Sequence, residues 1–98
     1  MEETHDVVFE NESVRVEIIK SFGVESGADE WYDQEESEIA FVTKGGAVID
    51  FGDRKLTLNA GDYYHFRAHE RHRVDFTSDD CEWLCLYISA QRIARSAR

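Results

Sequence analysis

About seven short runs of extended-favouring residues divide this chain, each closed by glycine, asparagine or aspartate. There is no proline, so those residue types carry all the punctuation. Residues 13–20 alternate cleanly, with Val14, Val16 and Ile18 on one face and Arg15 and Glu17 on the other. Residues 23–34 are polar and glycine-bearing and read as a long loop. Strands follow at 38–44, 47–51, 54–58, 63–67, 71–77 and 82–89. Gly45-Gly46 reads as a tight turn, Gly52-Asp53 as a second, and residues 59–62 as a third. Residues 90–98 form either a helical turn or a frayed end. Many short strands with frequent turns predict an all-β sandwich or barrel.

The totals fit one domain, 1–98, with a core over about 13–89 and peripheral termini at 1–6 and 90–98. A hydrophobic fraction of 42% suffices for that core. No apolar run approaches the roughly 18–20 residues that span a bilayer, so no membrane partner is expected. The acidic start MEETHDVVFE is unlike a secretion signal, and a cytoplasmic location is the expectation. A formal net charge of −10 repels phosphate backbones, which argues against nucleic-acid partners. Cys81 and Cys85 form no CxxC motif. On a regular strand they share a face about 13 Å apart, too far for a disulfide.

Two strands carry more information. In 71–77, His72, Val74 and Phe76 share a face, which puts His72 on the interior side. In 82–89, Leu84, Leu86 and Ile88 form one face while Trp83, Cys85 and Tyr87 form the other. A strand apolar on both sides needs cover on both. The prediction is a homodimer through the Trp83 and Tyr87 face.

Residues 61–72 read GDYYHFRAHERH: a glycine-aspartate turn, a strand, a small-residue corner and then a histidine. This resembles the second conserved motif of the cupin superfamily. Glu38, seven residues before Gly45, matches the glutamate-to-glycine spacing of the first cupin motif. Trp31-Tyr32-Asp33-Gln34 sits where that motif usually carries a His-x-His pair. Tyr32 and Gln34, or Trp31 and Asp33 in the other register, replace both histidines. Arg67 stands where cupins usually have proline, and His69 where they often have glycine. The resemblance implies an all-β, cupin-type double-stranded β-barrel (jelly roll) in a single domain.

What the resemblance implies for chemistry is a site inside the barrel. Glu38 and His72 are the first two metal-ligand candidates. Gln34 or Asp33 offers an oxygen, and His65 or His69 a nitrogen. A carboxylate-plus-amide set is harder and weaker for zinc, nickel or copper than a His-rich one. The expected cofactor is therefore a loosely held divalent metal (zinc, manganese, iron or nickel, with manganese or iron tolerated as well as zinc) or none. Trp31, Tyr32, Tyr64, His65 and His69 are the candidates for lining the pocket, with one of Tyr63, Tyr64 and His65 inside. The leading expectation is a protein that binds a divalent metal or a small polar molecule. The alternatives are a metal-dependent or acid/base enzyme of dioxygenase or isomerase type, and a regulatory homodimer without metal.

Overall fold

A computed structural model of the chain describes residues 3–23 and 31–89. Eight strands are present among them: β1 (Thr4–Glu10), β2 (Val14–Ser21), β3 (Ser37–Lys44), β4 (Gly46–Asp50), β5 (Lys55–Asn59), β6 (Tyr63–Phe66), β7 (Arg73–Thr77) and β8 (Cys81–Ile88). All named pairs are antiparallel. One sheet has the order β1-β2-β8-β3-β6 and the other β5-β4-β7. This is the jelly-roll arrangement that the turn spacing and motifs predict. The expected end segment, 90–98, and most of the long loop lie outside the described residues. Among the described residues, no helix is long and apolar enough to cross a membrane.

Cross-strand register shows which side chains face inward, because directly opposed residues share a face. Arg15, Tyr87, Glu38 and Phe66 form one row across the larger sheet. Glu17, Cys85, Ala40 and Tyr64 form the next, followed by Ile19, Trp83 and Val42. Ala40, Val42, Trp83 and Cys85 are buried, and Ile49, Ala47 and Leu58 meet them from the smaller sheet. The interior face of β2 is therefore the polar one, Glu17, Ile19 and Ser21. Its clean apolar stripe, Val14, Val16 and Ile18, lies half-buried on the outside.

The same register corrects the expected dimer face. Trp83 is only 6% exposed, and its indole N–H donates to Ser21 Oγ at 3.2 Å inside the barrel. Tyr87 likewise faces inward and lines the cavity. The face of β8 turned outward is Leu84, Leu86 and Ile88, so Trp83 and Tyr87 are not offered to a second copy. In β7 a bulge opposite Val48 and Ile49 leaves Asp75 unpaired. It shifts the alternation, so Val74 and Thr77 face inward while Phe76 is exposed.

Two turn expectations also need restating. Gly52-Asp53 does close a hairpin, with Phe51 N–H donating to the Arg54 carbonyl at 2.9 Å. Gly45-Gly46 does not: β3 and β4 belong to different sheets, and the glycines carry the chain from one to the other.

Candidate functional site: the barrel cavity

A cavity of about 100 Å³ lies between the sheets. Its polar lining is Glu3, His5, Gln34, Glu38, Cys85, Tyr87 and His72, and its aromatic walls are Tyr32, Phe66 and Trp83. Glu38 is placed by β3, between Tyr87 of β8 and Phe66 of β6. Gln34 Nε2 donates to Glu38 Oε1 at 3.3 Å, and the Cys85 thiol and Tyr87 hydroxyl also hydrogen-bond to that carboxyl. Three neutral donors thus meet one buried acid. Burial, and then the charge of Glu17, outweigh them and push the Glu38 carboxyl above its ordinary pKa.

His72 arrives from the corner before β7. Its backbone pairs with Tyr32 in both directions, at 2.7 and 3.1 Å, which pins the 31–34 segment against the corner. The ring stacks on Phe66 at 4.0 Å between centroids, and Nδ1 donates to the Glu70 carbonyl at 2.8 Å. That bond fixes the tautomer and leaves Nε2 as the lone-pair nitrogen. Burial lowers the His72 pKa, against the smaller opposing effect of the Glu70 carbonyl, so the neutral ring is favoured.

The rim next to Glu38 is charged. Burial works against Glu17, yet hydrogen bonds from His5 (3.1 Å) and Arg15 (2.7 Å) hold its carboxyl below the usual range. Arg15 also forks onto both oxygens of Glu36, and its guanidinium lies 4.4 Å from the centre of the Tyr87 ring.

The family model for the cupin domain matches residues 22–87. The chain belongs to the cupin family. Among solved structures, this cupin is similar to a protein of Ralstonia eutropha JMP134 whose name proposes a mannose-6-phosphate isomerase. The two are 32% identical with a TM-score of 0.86, over 91% of this chain and 86% of that one. It is also similar to a cupin-2 domain containing protein from Shewanella frigidimarina NCIMB 400 (22% identity, TM-score 0.73, 87% and 79% covered). A further match is KdgF from Halomonas sp. (16% identity, TM-score 0.77, 94% and 84% covered). The last two likenesses bear on the fold. No curated protein matches the chain.

The cupin barrel gathers some of the residues singled out in the sequence and separates others. Glu38, Gln34, His72 and Tyr32 all line the one cavity. Asp33 instead points to the surface, where it meets His69 Nδ1 at 2.7 Å. His69 is exposed and occupies a left-handed corner (φ 63°), which is why glycine suits that position in other cupins. His65 alternates outward on β6 and is exposed, so it is not a pocket residue. Tyr64 faces inward but packs on Phe51 and Phe66, with its hydroxyl donating to Glu70 at 2.7 Å, beside the cavity rather than in it. Trp31 is outside the cavity lining and meets the guanidinium groups of Arg71 (3.9 Å) and Arg73 (4.9 Å) over its ring.

These residues do not fit a resident divalent ion. Among the described residues, no three His, Cys, Asp or Glu side chains converge closely enough to hold one. The Glu38 carboxyl is already engaged by Gln34, Cys85 and Tyr87. Asp33, the expected oxygen donor, is turned away to His69. Cys85 offers neither a ligand nor a nucleophile, since burial and then Glu38 push its thiol far up and keep it protonated.

The two shifted groups have opposite signatures in stability against pH. For Glu38, the folded state holds its proton above the pH near 4.5 where the unfolded chain releases it. Stability therefore falls as pH rises through that window. For His72, the unfolded ring takes up a proton near 6.5 and the folded ring only lower. Stability therefore falls as pH drops below that value. Urea midpoints measured from pH 4 to 8 are expected to rise in Glu38→Gln relative to the parent most at the alkaline end. In His72→Phe the acid-side loss should flatten. Parallel profiles for parent and variants would contradict both assignments.

Proposed function

We propose that this cupin binds a small polar molecule in its barrel without a resident metal, recognising it through Glu38, Gln34 and the Nε2 of His72. The observation that supports this most is the convergence on one cavity of a proton-holding acid and a neutral imidazole with a free lone pair. Together they offer a donor and an acceptor in a cavity whose walls also include Tyr32, Phe66, Trp83, Ile19, Ile49 and Val74, apolar walls with a few polar groups as small-molecule sites commonly have.

The same pair supports a second reading, proton-transfer catalysis. Two titratable groups pushed apart in opposite directions form an acid and a base at one pH. His72 Nε2 would remove a proton from a carbon or hydroxyl, and Glu38 would supply one to the oxygen that gains charge. That is the chemistry of an isomerase, which the name of the Ralstonia protein also suggests. A phosphorylated sugar suits the cavity poorly, because no Lys or Arg is among the described residues lining it.

Amide chemical-shift mapping tests the binding reading. Small neutral polyols and hydroxyketones are expected to shift the amides around Glu38, Gln34, His72 and Tyr87, unchanged in His69→Gly and lost in His72→Phe. Manganese(II) at stoichiometric concentration should broaden none of these amides selectively. Selective broadening at Glu38 and His72 would overturn the metal-free reading. Exchange of a substrate C–H proton with deuterated solvent, abolished by His72→Phe, would favour catalysis.

A further inference from the structure

The charge around the cavity is out of balance. Glu3 and Glu38 line it, and Glu17 and Glu36 stand beside it. Against these four carboxylates are Arg15, held by both Glu17 and Glu36, and His5, held between Glu3 and Glu17. Among the described residues, the basic groups Arg15 and His5 at this rim are therefore already engaged by carboxylates other than Glu38. The partners of Glu38 itself, Gln34, Cys85 and Tyr87, are all neutral. A buried carboxyl surrounded by neutral donors has hydrogen bonds but no counter-charge, so it keeps a proton, which it would release to solvent when a cation takes up position beside it.

Aromatic rings form much of the remaining wall. Tyr32, Phe66, Trp83 and Tyr87 line the same cavity, and an aromatic ring face attracts positive charge. Arg15, 4.4 Å from the centre of the Tyr87 ring, already makes such a contact. The volume of about 100 Å³ holds a group of about four non-hydrogen atoms.

We infer that the cavity selects a small organic cation, an alkylammonium or a molecule bearing one, with its charge on Glu38 and its carbon chain against the aromatic wall. The inference rests on the reading above that the barrel cavity is the binding site, and adds the charge class of what enters. An ammonium supplies the positive charge that the partners of Glu38 lack and carries donors for its carboxylate. A carboxylate or phosphate ligand would meet Glu3 and Glu38, with no Lys or Arg among the described lining residues to receive it.

Titration calorimetry with three probes of near-equal size decides this: n-propylammonium, 1-propanol and propionate. The expected result is that propylammonium binds at least about tenfold more tightly than 1-propanol, and that propionate does not bind. Glu38→Gln should erase the difference between cation and alcohol, with folding checked by circular dichroism. Should that variant fail to fold, the ranking of the three probes on the parent protein still decides. Equal binding of cation and alcohol, tighter binding of propionate, or a cation preference that survives in folded Glu38→Gln would each overturn the inference while leaving a binding cavity in place. Binding of none of the three would overturn both the inference and the pocket reading beneath it.

Discussion

Trp83→Ala is expected to lower the unfolding free energy by about 3–5 kcal/mol, the loss typical of deleting a buried indole. Trp83 stands between Ile19 and Val42 in a row across the larger sheet, and all three are buried. Removing the ring takes the transfer free energy of its atoms and enlarges a cavity that the neighbouring strands cannot close, because both are locked in register. It also strips Ser21 Oγ of its donor, and that hydroxyl is itself the donor to Glu3 at 2.8 Å. Native stabilities are about 5–15 kcal/mol, so this variant should sit near the edge of folding at room temperature. Urea denaturation followed by circular dichroism reads the effect, and it should be independent of protein concentration. A loss below about 1 kcal/mol, or one that appears only on dilution, would mean that Trp83 faces a partner rather than the core.

That residue also shows where sequence reasoning stops. Turn residues and alternation are local properties, so strand positions from β2 to β8 were readable, together with a two-sheet enclosure. Which face of a strand turns inward is not local. In β8 both faces are apolar, and in β2 the more hydrophobic face lies outside. The interior is polar at the Glu38 end because it is a cavity, and hydropathy alone points the wrong way there. β1 escaped notice for a related reason. Its residues are all exposed, and a bulge between Val7 and Phe9 breaks the alternation that would have marked a strand.

The site was half legible. Glu38 and His72 were found through the two motifs, and Gln34 and Tyr32 through the segment that replaces the usual histidines. Tyr87, Cys85, Phe66 and His5 were missed as cavity residues: Tyr87 reads as part of a dimer face, Cys85 and Phe66 look like ordinary strand filler until the register places them, and His5 lies on β1, whose pattern does not mark a strand. Tyr87 and Phe66 flank Glu38 only because β8 and β6 both pair with β3. Parity along β6 did contain one further signal. Phe66 and Tyr64 share a face, and burial of Phe66 puts His65 outside. His69 needed the backbone: its left-handed corner turns the ring to Asp33 and away from His72.

Gly45→Val should cost about 2–5 kcal/mol, from two additive sources. The first is conformational. Gly45 sits at φ 73°, a region that a β-branched residue enters only under strain. The second is steric. A Cβ at this position would run into Ser78 Oγ, lie 2.6 Å from Asp80 Oδ1 and reach within 3.1 Å of the Cys81 Cα. The side chains have little freedom to retreat, because Ser78 Oγ accepts from Gly46 N–H at 3.0 Å and donates to Asp80 at 2.9 Å. The Cys81 backbone, at the start of β8, cannot move without shifting the strand that carries Trp83, Cys85 and Tyr87. The crossing between sheets is therefore coupled to the cavity wall. Urea unfolding should show the loss, with Gly45→Ala milder because it lacks the branched methyls. A Val variant within about 1 kcal/mol of the parent would mean that the chain does not cross from β3 to β4 through a left-handed glycine packed on β8.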